Sequence, residues 1–263
     1  MRTLITGHEG LIGSALWHGL PSEHLLVGYE RFDLTPEGPF DMIIHTAANC
    51  VIRETIAYPA LAQENIVVTN MVFDLAKKHN SKLVLFSSGR LSHESFNPYT
   101  VSKRYLEDMA RAYKDCYNLD SLIIRPETVW GKSKNNERVV MKWIAAARSH
   151  QPLIFKGPPN KDLPPIYIKD FTKIVLDLIA NFETYKNRTL KVSGQIRKAV
   201  DIATSIIEMT KSTSALLPME GEITQPQYCE PYDFTSPVPF EESLEAFLKR
   251  PRAIDITEVI YGS

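Results

Sequence analysis

The sequence predicts an α/β protein built on a Rossmann-type doubly wound parallel sheet, with a small C-terminal substrate lobe. Short, all-apolar runs alternate with segments of helical spacing through the first 130 residues, a pattern that implies parallel strands covered on both faces. A glycine-bearing turn sits between the first apolar run and the first helical segment. The chain is 263 residues long with 44% hydrophobic and 23% charged residues, enough for one large α/β domain and too apolar for a disordered chain.

Arg2–Thr6 reads as the first strand, and 11–20 as a helix with Leu11, Ile12, Ala15, Leu16 and Leu20 at helical spacing. Leu25–Tyr29 and Met42–His45 are short strands, and 58–79 is predicted as one long helix. Lys82–Phe86 is a strand, 99–117 a helix and 121–124 a strand. After Gly131 the texture changes: 139–149 reads as helix and the Pro/Gly-rich 156–165 as loop. Segments 170–182 and 200–210 read as helices around a strand at 189–192. Stretch 216–239 reads as mostly irregular and 241–250 as a last amphipathic helix. The expected division is a dinucleotide-binding core over 1–131 and a mainly substrate-binding lobe over 132–263, with about 166–192 returning to the core.

Thirty Lys and Arg against 31 Asp and Glu give a net charge of −1, which supplies no basic excess for nucleic acid or an anionic membrane. Cys50, Cys116 and Cys229 are scattered and form no CxxC, so neither a disulfide framework nor a metal site is expected, and the thiols read as idle. The apolar run after Met1 is too short for a signal peptide, and no stretch approaches the ~20 apolar residues of a membrane helix. A soluble cytoplasmic protein is the expectation.

Gly7-His8-Glu9-Gly10-Leu11-Ile12-Gly13 follows the first strand and opens the first helix. Glycines there permit a tight turn, and the N–H groups of Leu11, Ile12 and Gly13 at the helix start suit a pyrophosphate, as in Rossmann-type folds. Near the end of the second strand, Glu30 would hold a ribose 2′-hydroxyl, whereas the adjacent Arg31 would suit a 2′-phosphate. Glu9 adds negative charge nearby, so the reading leans to NAD over NADP.

Tyr99 and Lys103 stand at i and i+4 on a helix and share one face. A lysine there is expected to lower the tyrosine pKa so that the phenol can pass a proton to or from a substrate oxygen. Ser87 and Ser88 end the strand Lys82–Phe86 at the sheet edge where open α/β sheets bind ligands, and a hydroxyl there can hold the same oxygen.

Together these motifs resemble the extended short-chain dehydrogenase/reductases, the NAD-dependent epimerase/dehydratase group acting largely on nucleotide sugars. The likeness runs in order: the turn at 6–13, Ile43-Ile44-His45-Thr46-Ala47-Ala48, Glu64-Asn65, Phe86-Ser87-Ser88, Tyr99 with Lys103, Arg125-Pro126 before Val129-Trp130-Gly131, and Ile166-Tyr167-Ile168-Lys169-Asp170. The resemblance implies Tyr99 as acid/base, Lys103 as its electrostatic partner and ribose ligand, and Ser88 rather than Ser87 as the carbonyl-oxygen ligand. It also implies that Gly7, Gly10 and Gly13 cradle the pyrophosphate, with Ala47 and Ala48 against the cofactor, and that Asn65 is structural. His45 reads as a packing residue. Relatives often dimerise through the Tyr99-bearing helix and the long helix before it, so a homodimer is carried as an analogy.

The departures narrow the chemistry. Dehydratases of the group carry an Asp-Glu pair after the serine, where this chain has Gly89 and Arg90, so water elimination is not expected. The cysteine and histidine of the GDP-fucose synthase branch are also missing, which removes double epimerisation. Ser88 and Tyr99 are only 11 positions apart, which predicts a more open or altered substrate pocket. The arginine that often precedes the Ile166–Asp170 segment is replaced by Leu163-Pro164-Pro165. Arg90 is the candidate for a substrate carboxylate or phosphate, and Lys132 for a diphosphate, with Lys134, Arg138, Lys156 and Lys161 as further cations.

The resemblance implies an NAD(P)-dependent oxidoreductase or epimerase acting by hydride transfer on a sugar, most of all a nucleotide sugar. A dehydrogenase of a free sugar or sugar acid is the alternative, and a non-catalytic dinucleotide sensor the third reading.

Overall fold

The computed structural model describes residues 1–29, 36–92, 96–133, 138–219 and 231–249. In chain order its elements are β1 (Arg2–Thr6), α1 (Leu11–Gly19), β2 (Leu25–Tyr29), β3 (Met42–His45), α2 (Ile52–Ala57), α3 (Ala60–His79), β4 (Lys82–Phe86), a 3-10 turn (Gly89–Ser92), α4 (Pro98–Tyr117), β5 (Ser121–Pro126) and β6 (Thr128–Trp130). There follow α5 (Val139–Arg148), β7 (Leu153–Lys156), β8 (Asp162–Leu163), β9 (Pro165–Tyr167), α6 (Ile168–Ala180), α7 (Phe182–Tyr185), β10 (Thr189–Ser193), β11 (Arg197–Lys198), α8 (Ala199–Thr210), β12 (Leu216–Met219), β13 (Phe234–Thr235) and α9 (Phe240–Leu248).

Seven strands form one sheet in the order β13-β10-β5-β4-β3-β1-β2, with every neighbouring pair parallel. The chain runs from β1 to β2 on one side and returns to β3 on the other. That reversal opens a crevice at the carboxyl ends of β1 and β3, the usual ligand position in such sheets. Side chains alternate between the two faces. Ile5, Ile44, Val84, Leu122 and Ile124 pack with α1, α6 and the C-terminal helices, while Leu4, Ile43, Leu83, Leu85 and Ile123 pack with α3 and α4.

The long helix expected over 58–79 begins later, at Ala60. Pro59 lacks an N–H and stands at the N-cap of α3, and the residues before it form the separate short helix α2. The start of α4 is fixed by Asn97. Its side chain accepts from the Thr100 N–H at 3.1 Å, the Thr100 hydroxyl oxygen accepts from the Asn97 N–H at 3.0 Å, and Pro98 occupies the first turn. Left-handed Asn80 and Asn118 end α3 and α4.

The later half contributes to the sheet through β10 and β13, with α6 packed beside α1. The region 156–165, read as loop, contains the two-residue β8. The stretch read as irregular contributes β12, which pairs with β7, and β13, which extends the main sheet. These segments are too short for their apolar periodicity to show in sequence. No helix among the described residues is long and apolar enough to cross a membrane.

Candidate active site

The glycine turn lies in the crevice. Gly7 has φ +72°, and a Cβ there would stand 2.7 Å from the Ala47 backbone. A Cβ on Gly13 would strike the Gly7 carbonyl oxygen, so both positions require glycine for the turn to close. The Gly10 N–H donates to the Gly7 carbonyl at 3.0 Å, and the Thr46 hydroxyl donates to the Thr6 carbonyl at 2.7 Å. Helix α1 begins after Gly10 with no side-chain cap, so Leu11, Ile12 and Gly13 carry the N–H groups of an uncapped first turn. These features fit the pyrophosphate of a dinucleotide. Glu9 is exposed at the turn, Ala47 is buried beside it and Ala48 is half-buried. Glu30, Arg31 and Lys134 lie outside the described residues, as does the side chain of Lys156.

A second group of residues gathers where β4 ends and α4 begins. Ser88, Tyr99 and Lys103 are all buried, and the Ser88 hydroxyl lies near enough to the Tyr99 phenol to favour its ionised form. Lys103 Nζ donates to the Phe86 carbonyl at 2.8 Å. Burial is the largest influence on Tyr99 and raises its pKa, and Cys50 raises it further. The Ser88 hydroxyl and the charges of Arg138 and Arg90 act the other way. Burial also lowers Lys103 to about 8. The expectation that Lys103 would depress the Tyr99 pKa is therefore corrected: the ammonium is held at the Phe86 carbonyl, and desolvation of the phenol dominates.

Ser87 turns away from Ser88 and Tyr99, into a network of charged side chains. Its hydroxyl donates to Glu107 Oε1 at 2.5 Å, and the same carboxylate receives Arg125 Nε at 2.8 Å and Nη2 at 2.6 Å. Adjacent serines point to opposite faces at a strand end, so one joins this network and the other meets Tyr99. Asn65 ties the loop after β3 to two helices, accepting from the Asn49 N–H at 2.7 Å and donating to Ser102 Oγ at 3.3 Å. His45 shares a 2.7 Å hydrogen bond with Thr6 and is pushed down to about 3 by burial and then by Lys103, which keeps the ring neutral in its packing role.

Arg90 lies two residues past Ser88, its N–H donating to Ser88 Oγ at 3.2 Å. Lys132 is exposed just beyond Gly131. Two residues near the site, Cys50 and Glu127, escape a reading of the sequence, and a third, Arg138, is given no particular place by it. Cys50, exposed after β3, acts electrostatically on both Tyr99 and Lys103. Arg138, which sequence alone places only among general cations, is in electrostatic reach of Tyr99. Glu127 follows β5 and packs against Gly89. The missing side chain at Gly89, together with strand adjacency, is the signal that could have found Glu127.

A glycine turn at a sheet crevice, with a buried Ser–Tyr–Lys set on the next edge, is an arrangement that fits a dinucleotide beside a group able to move a proton. The chain belongs to the NAD dependent epimerase/dehydratase family, whose match covers residues 3–193. It is 22% identical over 273 residues to a Bacillus subtilis (strain 168) protein described as the uncharacterized UDP-glucose epimerase YtcB, covering 85% of this chain and 86% of that one. Among solved structures it is similar to the UDP-glucose 4-epimerase of Thermotoga maritima with UDP-glucose, at TM-score 0.81 and 16% identity over 94% of this chain and 97% of the other. It is also similar to a UDP-glucuronic acid 4-epimerase variant from Bacillus cereus in complex with NAD and a fluorinated UDP-sugar, at TM-score 0.81 and 18% identity over 94% and 98%.

Proposed function

We propose that this chain is an NAD(P)-dependent nucleotide-sugar epimerase or reductase, with Tyr99 as the acid/base. The observation that carries this reading is the burial of Ser88, Tyr99 and Lys103 together where β4 ends and α4 begins, with Lys103 held at the Phe86 carbonyl, at the same sheet edge as the glycine turn. A nicotinamide dinucleotide, held by the turn at Gly7, Gly10 and Gly13 and by Lys103, supplies a hydride acceptor and donor. Ser88 and Tyr99 bracket one sugar oxygen. Tyr99 takes its proton as the carbonyl forms and returns it when the alcohol is restored. Lys103, held at the Phe86 carbonyl, stays beside them, where it would hold the nicotinamide ribose. The names of the relatives favour a UDP-sugar, and the lobe over 132–263 is the proposed holder of the nucleotide. A homodimer through α3 and α4 is proposed by analogy with relatives: Val67→Asp on the exposed side of α3 should then turn a dimer into a monomer by light scattering, and an unchanged mass would remove α3 from the interface.

Tyr99→Phe tests the mechanism. Turnover of UDP-glucose or UDP-glucuronate, followed by chromatography of the product sugars, should fall by about 10²–10⁴-fold. Dinucleotide binding should stay within about twofold, because the phenol's proton is not needed to hold the cofactor. Unchanged turnover would remove Tyr99 from the reaction.

A further inference from the structure

Glu127 is a carboxyl without a structural task. Continuing the β4–β5 register past Phe86 and Ile124 sets Gly89 beside Glu127, and a Cβ on Gly89 would land on the Glu127 carboxyl. The glutamate thus fills the side-chain space of the residue directly after Ser88. Oε1 is buried and has no hydrogen-bond partner among the described residues. On the other side, the Glu127 N–H donates to the Val192 carbonyl at 3.1 Å, which brings the end of β10 alongside. There Ser193 is fully buried, and its Oγ is also without a partner among the described residues. A buried polar atom left unpaired is costly, and native proteins keep few of them. Two such atoms at the edge that carries Ser88 point to a ligand that completes them.

We propose that Glu127 is a specificity-determining residue of the sugar subsite, its carboxyl holding a ring hydroxyl next to the carbon on which Ser88 and Tyr99 act. This rests on the reading of Ser88 and Tyr99 as the reacting pair. The charged groups facing Glu127 are Arg90 from the 3-10 turn and Lys191 from β10, and both favour the carboxylate. Burial outweighs them and pushes the group up to about 7. The protonated form can both donate to and accept from a sugar hydroxyl, whereas the carboxylate only accepts. A sugar that covers the carboxyl further disfavours its charge, so binding takes up a proton and weakens as the pH rises past 7.

The test compares wild type, Glu127→Gln and Glu127→Leu, each loaded with NAD, by calorimetric titration with UDP and with UDP-glucose between about pH 6 and 8.5, a range that brackets the Glu127 titration. Thermal melts check that each variant folds. Glu127→Leu should bind UDP-glucose about tenfold more weakly while its UDP affinity moves less than about twofold. Glu127→Gln, always neutral, should match wild type at the acid end and lose the wild-type decline toward the alkaline end. UDP-glucose affinity within about twofold of wild type in folded Glu127→Leu would overturn the proposal while leaving the reaction assignment standing. Wild type that binds UDP-glucose no better than UDP and does not turn it over would overturn both.

Discussion

Two glutamates sit beside the end of β5, and the fold treats them in opposite ways. Glu107 accepts from Ser87 and from both forks of Arg125, so both of its oxygens are satisfied. Glu127 faces a glycine and keeps a buried, unpartnered oxygen. Paired burial binds α4 to the sheet and so fixes the helix that carries Tyr99 and Lys103. Unpaired burial holds nothing together. A polar group serves architecture when its partners come from the fold, and it serves a ligand when they do not.

The largest expected effect breaks the first half of that contrast. Glu107→Ala strands the Arg125 guanidinium in a mostly buried place, where Glu107 now raises the arginine's pKa through hydrogen bonds. Removing one partner of a buried pair costs about 3–5 kcal/mol. Urea melts should show that loss. A change below about 1 kcal/mol would mean that water replaces the carboxylate and that the pair is not architectural.

The second effect concerns pH. Glu127 holds its proton more tightly in the fold, at about 7 against an ordinary 4.5. Its contribution to stability is therefore fully present below about pH 4.5 and is lost as the pH rises through 7. Glu127→Gln has no such loss, so it should gain on wild type by about 1–3 kcal/mol between about pH 5 and 8. His45 runs the other way: depressed to about 3, it costs stability as the pH falls below its ordinary 6.5. Both proteins carry His45, so the difference curve removes it. A flat difference curve would show that Glu127 is ionised and solvated in the native state.

The contrast also explains what sequence could show. Strands β1, β3, β4 and β5 carry short apolar runs, and the glycine turn and the Tyr99–Lys103 spacing are local patterns, so all were legible. The start of α3 after Pro59 was visible in principle, because a proline marks a helix start or a break. The division of labour between Ser87 and Ser88 depends on which face each side chain meets, and only the neighbouring helix decides that. Glu127 depends on strands far apart in sequence being adjacent in the sheet, since its space comes from Gly89 after β4 and its other neighbour is Ser193 of β10. The direction of the Tyr99 shift was misjudged because helical spacing reveals neighbours and not burial.

The smallest expected effect asks how the architecture serves the chemistry. Asn97 caps α4 two residues before Tyr99, through reciprocal bonds with Thr100. Asn97→Ala removes the acceptor for the Thr100 N–H and should cost about 1 kcal/mol of stability. Asn97→Ser restores an acceptor and most of that loss. Because the Glu107–Arg125 pair and Lys103 hold the following turns, the first turn alone should loosen, so turnover should fall several-fold and remain well above that of Tyr99→Phe. Turnover that falls as far as in Tyr99→Phe would place the cap with the reacting groups, and the separation between architecture and chemistry would fail at this helix start.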